Sequence, residues 1–131
     1  MLSLKNVTPI LKNFRNFRKF VVCKSNDFIM KKQQVLKIVK NAVLKVDSKA
    51  EIILFGSRAR GDYNDDSDWD LLILLDKKEN EEIKDKIRKN LFYSELETDE
   101  IFGTVIHNKS DWEKFEVTPF YQFIKKEGIK I

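Results

Sequence analysis

Ile52-Ile53-Leu54-Phe55, an uninterrupted apolar run, and Trp69 to Leu75, apolar except for Asp70, have the length and composition of buried strands. The segment joining them constrains the chain most, because it opens with Gly56-Ser57 and, after ten residues, presents Asp68 and Asp70. Gly56 ends the first run. A glycine there lets the backbone turn tightly and approach a ligand, and Ser57 adds a hydroxyl beside amides that begin a helical turn. Such a corner suits a phosphate. Asp68 and Asp70 stand at the start of the second strand, where residues two apart share a face and Trp69 points to the other. Two carboxylates held side by side resist ionisation unless a cation sits between them. Mg²⁺, which favours one or two carboxylates plus substrate phosphates, resolves that conflict.

Two other motifs are imitated here and fail. Gly56 and Gly61 have P-loop spacing, but Asp62 and Tyr63 stand where that motif needs Lys and Ser or Thr. Asp62, Asn64 and Asp66 resemble the first ligands of an EF-hand, yet Ser67 and Ile73 occupy its glycine and glutamate positions. A solvated acidic loop accounts for Asp62, Asp65 and Asp66. It does not account for Asp68 and Asp70, since paired charge at the mouth of a buried strand is costly without a function.

Gly56, Ser57, Asp68 and Asp70, with the Arg-Ala-Arg-Gly filling and the Ser-Asp-x-Asp-Leu ending, resemble the signature of the minimal nucleotidyltransferases of the DNA polymerase β superfamily. The resemblance spans about Met30 to Trp112. It implies that Asp68 and Asp70 are catalytic and hold Mg²⁺, as one ion or a pair. It also implies that Gly56 and Ser57 hold the β- and γ-phosphates of a nucleoside triphosphate. Arg58 and Arg60 are candidates for neutralising phosphate charge, with a solvated helix face as the alternative for either.

The 131 residues suffice for one domain and leave no room for a second catalytic one. No apolar run approaches the roughly 20 residues that span a bilayer. The single Cys23 excludes an internal disulfide framework and fits a reducing cytoplasm, and the single His107 excludes histidine-rich metal chemistry. The net charge of +4 is unevenly divided: residues 1–29 hold six basic residues against Asp27, leaving 19 basic and 20 acidic residues elsewhere. A near-neutral body argues against a protein that grips long nucleic acid through many phosphates.

The chain therefore divides into a basic extension, 1–29, and a nucleotidyltransferase domain, 30–131. Three readings stand for the extension: a targeting peptide, an amphipathic arm that binds a partner or anionic surface, or a non-native, disordered product of an upstream start codon.

Within the body, Val35, Leu36, Val39, Val43 and Val46 recur at helical spacing and predict a helix over 31–46. Ser57 to Arg60 reads as a short helical turn. Glu79 to Ser94, acidic first and basic later, predicts a second long helix whose stripe of Ile83, Ile87 and Leu91 packs on one face of the sheet. Glu100 to His107 reads as a third strand. Ser110-Asp111-Trp112-Glu113 and Thr118-Pro119 predict two short helices, the last closed by Gly128. Phe115, Phe120, Tyr121, Phe123 and Ile124 read as local packing, with a docking patch as the alternative. The expected fold class is α/β (α+β): three strands in a small mixed sheet flanked by helices, a polymerase-β-like nucleotidyltransferase arrangement whose catalytic edge is the second and third strands.

The resemblance also implies a third carboxylate on the third strand, and the expected position holds Gly103. Asp99 and Glu100 lie about 10–13 Å earlier along a strand, and Glu97 lies further still. Two functions follow. One is an active transferase that places a nucleotide, AMP from ATP, on a hydroxyl of a protein or small molecule, its third ligand being Asp99, Glu100 or a partner's carboxylate. The other is a nucleotide- and Mg²⁺-binding module that has lost turnover. The resemblance further implies a HEPN-type protein partner, which some minimal nucleotidyltransferases bind and modify as antitoxins.

Overall fold

The computed structural model describes residues 25–131 apart from Glu79. Readings placed on residues 1–24 and on Glu79 therefore lie outside the described residues. In chain order the elements are α1 (Ser25–Leu44), β1 (Glu51–Phe55), α2 (Ser57–Arg60), β2 (Trp69–Leu75) and α3 (Glu81–Thr98). They are followed by β3 (Phe102–Asn108), α4 (Lys109–Trp112), a 3-10 turn (Glu113–Phe115), α5 (Pro119–Glu127) and β4 (Ile129–Lys130).

The four strands form one mixed sheet in the order β3-β2-β1-β4. β1 runs antiparallel to both β2 and β4, whereas β2 and β3 are parallel. A parallel pair needs a long crossover, and α3 supplies it. β4 was absent from the expected set of three strands, because two residues carry no readable alternation. Gly128 allows β4 to reach β1: a Cβ at Gly128 would meet Ile53 Cγ2 at 2.6 Å.

Strand alternation divides the core in two. One face carries Ile52, Leu54, Trp69, Leu71, Ile73, Leu75, Phe102 and Ile106, packed with Val35, Val39, Ala42 and Val43 of α1 and with Ile87 and Leu91 of α3. The other carries Leu72 and Leu74 beneath Trp112 and Ile124, with Ile53, Phe55, Val105 and Tyr121 at its margin. β2 is buried on both faces, as its near-continuous hydrophobicity requires.

The helices follow their stripes and differ mainly at their ends. α3 is capped by Asn80, whose side chain accepts from Ile83 N at 2.8 Å, and it runs past Ser94 to Thr98. Asp99 then closes it in the left-handed conformation, φ 59°. α4 starts at Lys109 with Asn108 as its cap, in place of the expected Ser110 box, because the Asn108 carbonyl oxygen of the side chain takes Ser110 N at 2.9 Å. Thr118 and Pro119 open α5 as expected, and Gly128 N donates to Ile124 O at its end. Among the described residues no helix is long and apolar enough to cross a membrane.

Asp47, directly after the last apolar residue of the α1 stripe, is buried. It accepts backbone N–H groups from Lys49 at 3.1 Å, Asp76 at 2.8 Å and Lys77 at 2.9 Å. It thereby ties the α1–β1 connection to the far end of β2. Burial works to raise its carboxyl, but the three backbone donors outweigh burial and hold it below the ordinary value.

Candidate functional site

The site lies at the end of β1 and the start of β2. Phe55, Asp70 and Gly103 stand opposite one another on three adjacent strands, in the register Phe55↔Asp70 and Asp70↔Gly103. Gly56 follows with φ 73° and ψ −158°, a conformation essentially reserved for glycine. A Cβ at Gly56 would overlap Asp70 Oδ2, and one at Gly103 would stand 3.1 Å from Asp70 Oδ1. The Asp70 carboxylate therefore lies in a slot between two residues that have no side chain.

That slot leaves Asp70 half-buried, with Asp68 two residues away and exposed. Burial first and the Asp68 charge second push the Asp70 carboxyl above its ordinary value, while Arg60 opposes them. A divalent cation bound there would offset both effects on Asp70. Hard oxygen donors half-open to solvent are of the kind that divalent cations take.

Gly103 occupies the register position expected for a third carboxylate, and the candidates to replace it are committed elsewhere. Glu100 is buried and stands 3.9 Å from the Arg58 guanidinium, Asp99 closes α3, and Glu97 is exposed on that helix. Among the described residues no group of three or more His, Cys, Asp and Glu is placed to hold a metal ion.

Arg58 and Arg60, expected to act alike, are separated by the structure. Helical geometry turns them to different sides of α2. Arg58 is 4% exposed and donates through both Nε (3.3 Å) and a terminal nitrogen (3.1 Å) to the carbonyl of Ser67. Its guanidinium lies between the rings of Tyr63 and Trp69, 4.5 and 4.6 Å from their centroids. An arginine so enclosed is not placed as a phosphate ligand. Arg60 is at the surface and bonds Asp62 at 3.2 Å and Glu127 at 3.1 Å, both exchangeable partners. Ser57 is partly exposed at the head of α2, directly after Gly56.

The acidic loop closes on itself, since Asn64 N donates to Ser67 Oγ and Ser67 N to Asn64 O, while Asp62, Asp65 and Asp66 stay exposed. In the C-terminal aromatic group Ile124 is buried, while Phe120 and Phe123 meet Phe55 edge-on at 5.6 and 6.3 Å with part of each ring in solvent. Local packing thus accounts for its inner members. The Glu100–Arg58 pair was missed because its members lie far apart in sequence and neither belongs to an apolar stripe.

Comparison with known proteins gives the chain's family. A sequence profile described as "Nucleotidyltransferase domain" matches residues 32–131. A Methanocaldococcus jannaschii protein named "Putative protein adenylyltransferase MJ0141" is 35% identical over 104 residues, covering 75% of this chain and 99% of its own. A crystal structure titled as a putative nucleotidyltransferase from Sulfolobus solfataricus is 25% identical, with a TM-score of 0.45 over 83% of this chain and 89% of its own. The extent of the profile match and the identity to the archaeal relative, together with the Gly56-Ser57 and Asp68-x-Asp70 arrangement, establish that the chain belongs to the nucleotidyltransferase domain family.

Proposed function

We propose that the protein is a Mg²⁺-dependent nucleotidyltransferase that transfers AMP from ATP to a hydroxyl group of a protein. The observation that carries this reading is the Asp70 carboxylate, held between Gly56 and Gly103 beside Asp68 with its proton affinity raised. The name of the archaeal relative supports adenylate as the group and protein as the acceptor.

Asp68 and Asp70 would hold the metal, which when bound polarises the α-phosphate and offsets charge on the departing pyrophosphate. Gly56 and Ser57 would seat the β- and γ-phosphates. Arg60 would exchange Asp62 and Glu127 for phosphate oxygen, a change its surface position permits. In the reaction the acceptor oxygen bonds the α-phosphorus, the bond from that phosphorus to the bridging oxygen breaks, and pyrophosphate leaves. The hydroxyl proton passes to solvent or to a base of the acceptor protein, since Gly103 supplies none. The reaction's setting is the cytoplasm, where ATP is available, and a HEPN-type partner protein is a suitable acceptor.

Gly103 favours a second reading, in which ATP and Mg²⁺ bind but turnover is slow or requires a partner's carboxylate. Pyrophosphate release from Mg·ATP, with and without candidate acceptors, tests the first reading alongside calorimetric binding. Release that disappears in Asp70→Asn supports transfer; binding without release across acceptors supports the second; neither binding nor release refutes both.

A further inference from the structure

Asp68 is exposed and precedes β2, so the sheet's hydrogen bonds alone do not hold it. Its backbone is bracketed instead. On one side, the Ser67 carbonyl belongs to the same peptide as the Asp68 nitrogen, and it receives the two donors of Arg58. On the other, Trp69 N donates to Ile101 O at 2.9 Å. Two N–H groups of one rigid guanidinium converging on a single oxygen hold the peptide from one fixed direction.

We propose that Arg58 is a positioning residue for the carboxylate pair: its grip on the Ser67 carbonyl sets where Asp68 stands relative to Asp70, and it contacts no phosphate. This rests on the metal-nucleotide reading of Asp68 and Asp70.

Three observations carry it. The guanidinium is enclosed, with Tyr63 and Trp69 on its faces, so it cannot swing toward a ligand without leaving two aromatic contacts. Trp69 is the residue between the two aspartates, so Arg58 grips the peptide before Asp68 and stacks on the side chain after it. Glu100 faces Arg58 at 3.9 Å, both nearly fully buried, and precedes Ile101, whose carbonyl makes the second anchor. A buried ion pair is weak support for stability, because desolvation offsets most of its attraction. Its placement against the two backbone anchors of Asp68 gives it a geometric use. Groups that orient metal ligands from behind commonly change metal affinity by about 10- to 100-fold when replaced.

The test uses the full chain. Mn²⁺ affinity is measured by electron paramagnetic resonance with a non-hydrolysable ATP analogue, and affinity for the analogue is measured separately in chelator. Arg58→Lys keeps the charge but loses the fork and the stacking. Arg58→Met with Glu100→Gln removes both buried charges at similar volume, which preserves the fold if the single substitution does not. Mn²⁺ binding weakened about 10- to 100-fold in a folded variant, with metal-free binding of the analogue unchanged, supports the proposal. So does recovery of Mn²⁺ affinity when methylguanidinium is added to Arg58→Ala. Wild-type Mn²⁺ affinity in both folded variants overturns it. A parallel loss of metal-free analogue binding also overturns it, by making Arg58 a phosphate ligand. Failure of the wild-type chain itself to bind Mn²⁺ refutes the metal reading, and this inference with it.

Discussion

Gly56→Ala tests the slot around Asp70 directly, because the structure assigns it two separable penalties. The backbone at φ 73° and ψ −158° is costly for any residue with a Cβ, about 1–3 kcal/mol. The new methyl group would also overlap Asp70 Oδ2. The carboxylate must then shift from its place, at an overpacking cost of about 1–3 kcal/mol. The sum, about 2–6 kcal/mol and centred on about 4, corresponds to a fall in melting temperature of roughly 15 °C for a domain of this size. Differential scanning calorimetry of metal-free protein measures it, and the same substitution in an Asp70→Ala background separates the parts. Without the carboxylate only the backbone penalty remains, so the double variant should recover about half of the loss. Equal losses in both backgrounds would refute the slot, and a loss below about 1 kcal/mol in either would refute the backbone argument as well.

Three further outcomes are expected. The raised Asp70 carboxyl contributes stability that is fully present below its unfolded value and lost as pH rises through its folded value, so metal-free Asp70→Asn should gain on wild type from acid to neutral pH in urea unfolding; a pH-independent difference would exclude this. Asp47 has the opposite sign, its stabilisation being present above the unfolded value and lost as pH falls through the folded one. Asp47→Ala should cost about 3 kcal/mol at neutral pH, with a narrowing gap in acid. Gly103→Asp should lower metal-free melting through repulsion with Asp70, yet raise Mg²⁺-dependent pyrophosphate release on the order of 10²-fold by adding the missing carboxylate. An unchanged rate in a folded variant would show that the third ligand comes from elsewhere.

The glycine turn and the carboxylate pair were legible because both depend on spacing along one strand-turn-strand segment, where Gly56, Ser57, Asp68 and Asp70 are close in sequence. The parallel register that sets Gly103 beside Asp70 was legible only through the resemblance, since nothing local in Phe102 to Asn108 reports its partner strand. The ends of α3 and α4 were not, because caps such as Asn80 and Asn108 compete with neighbouring polar residues that look equally suitable.

Sequence by itself determined β1, β2 and the turn between them, because periodicity and glycine placement act over a few residues. Tertiary structure alone decided what surrounds them. Arg58 and Arg60 are two residues apart and chemically identical, yet one is buried against Ser67, Trp69 and Glu100 while the other faces solvent. That difference arises from contacts with residues as distant as Glu100 and Glu127, which no local pattern records. The same holds for the slot of Asp70, whose two walls come from the end of one strand and the start of another.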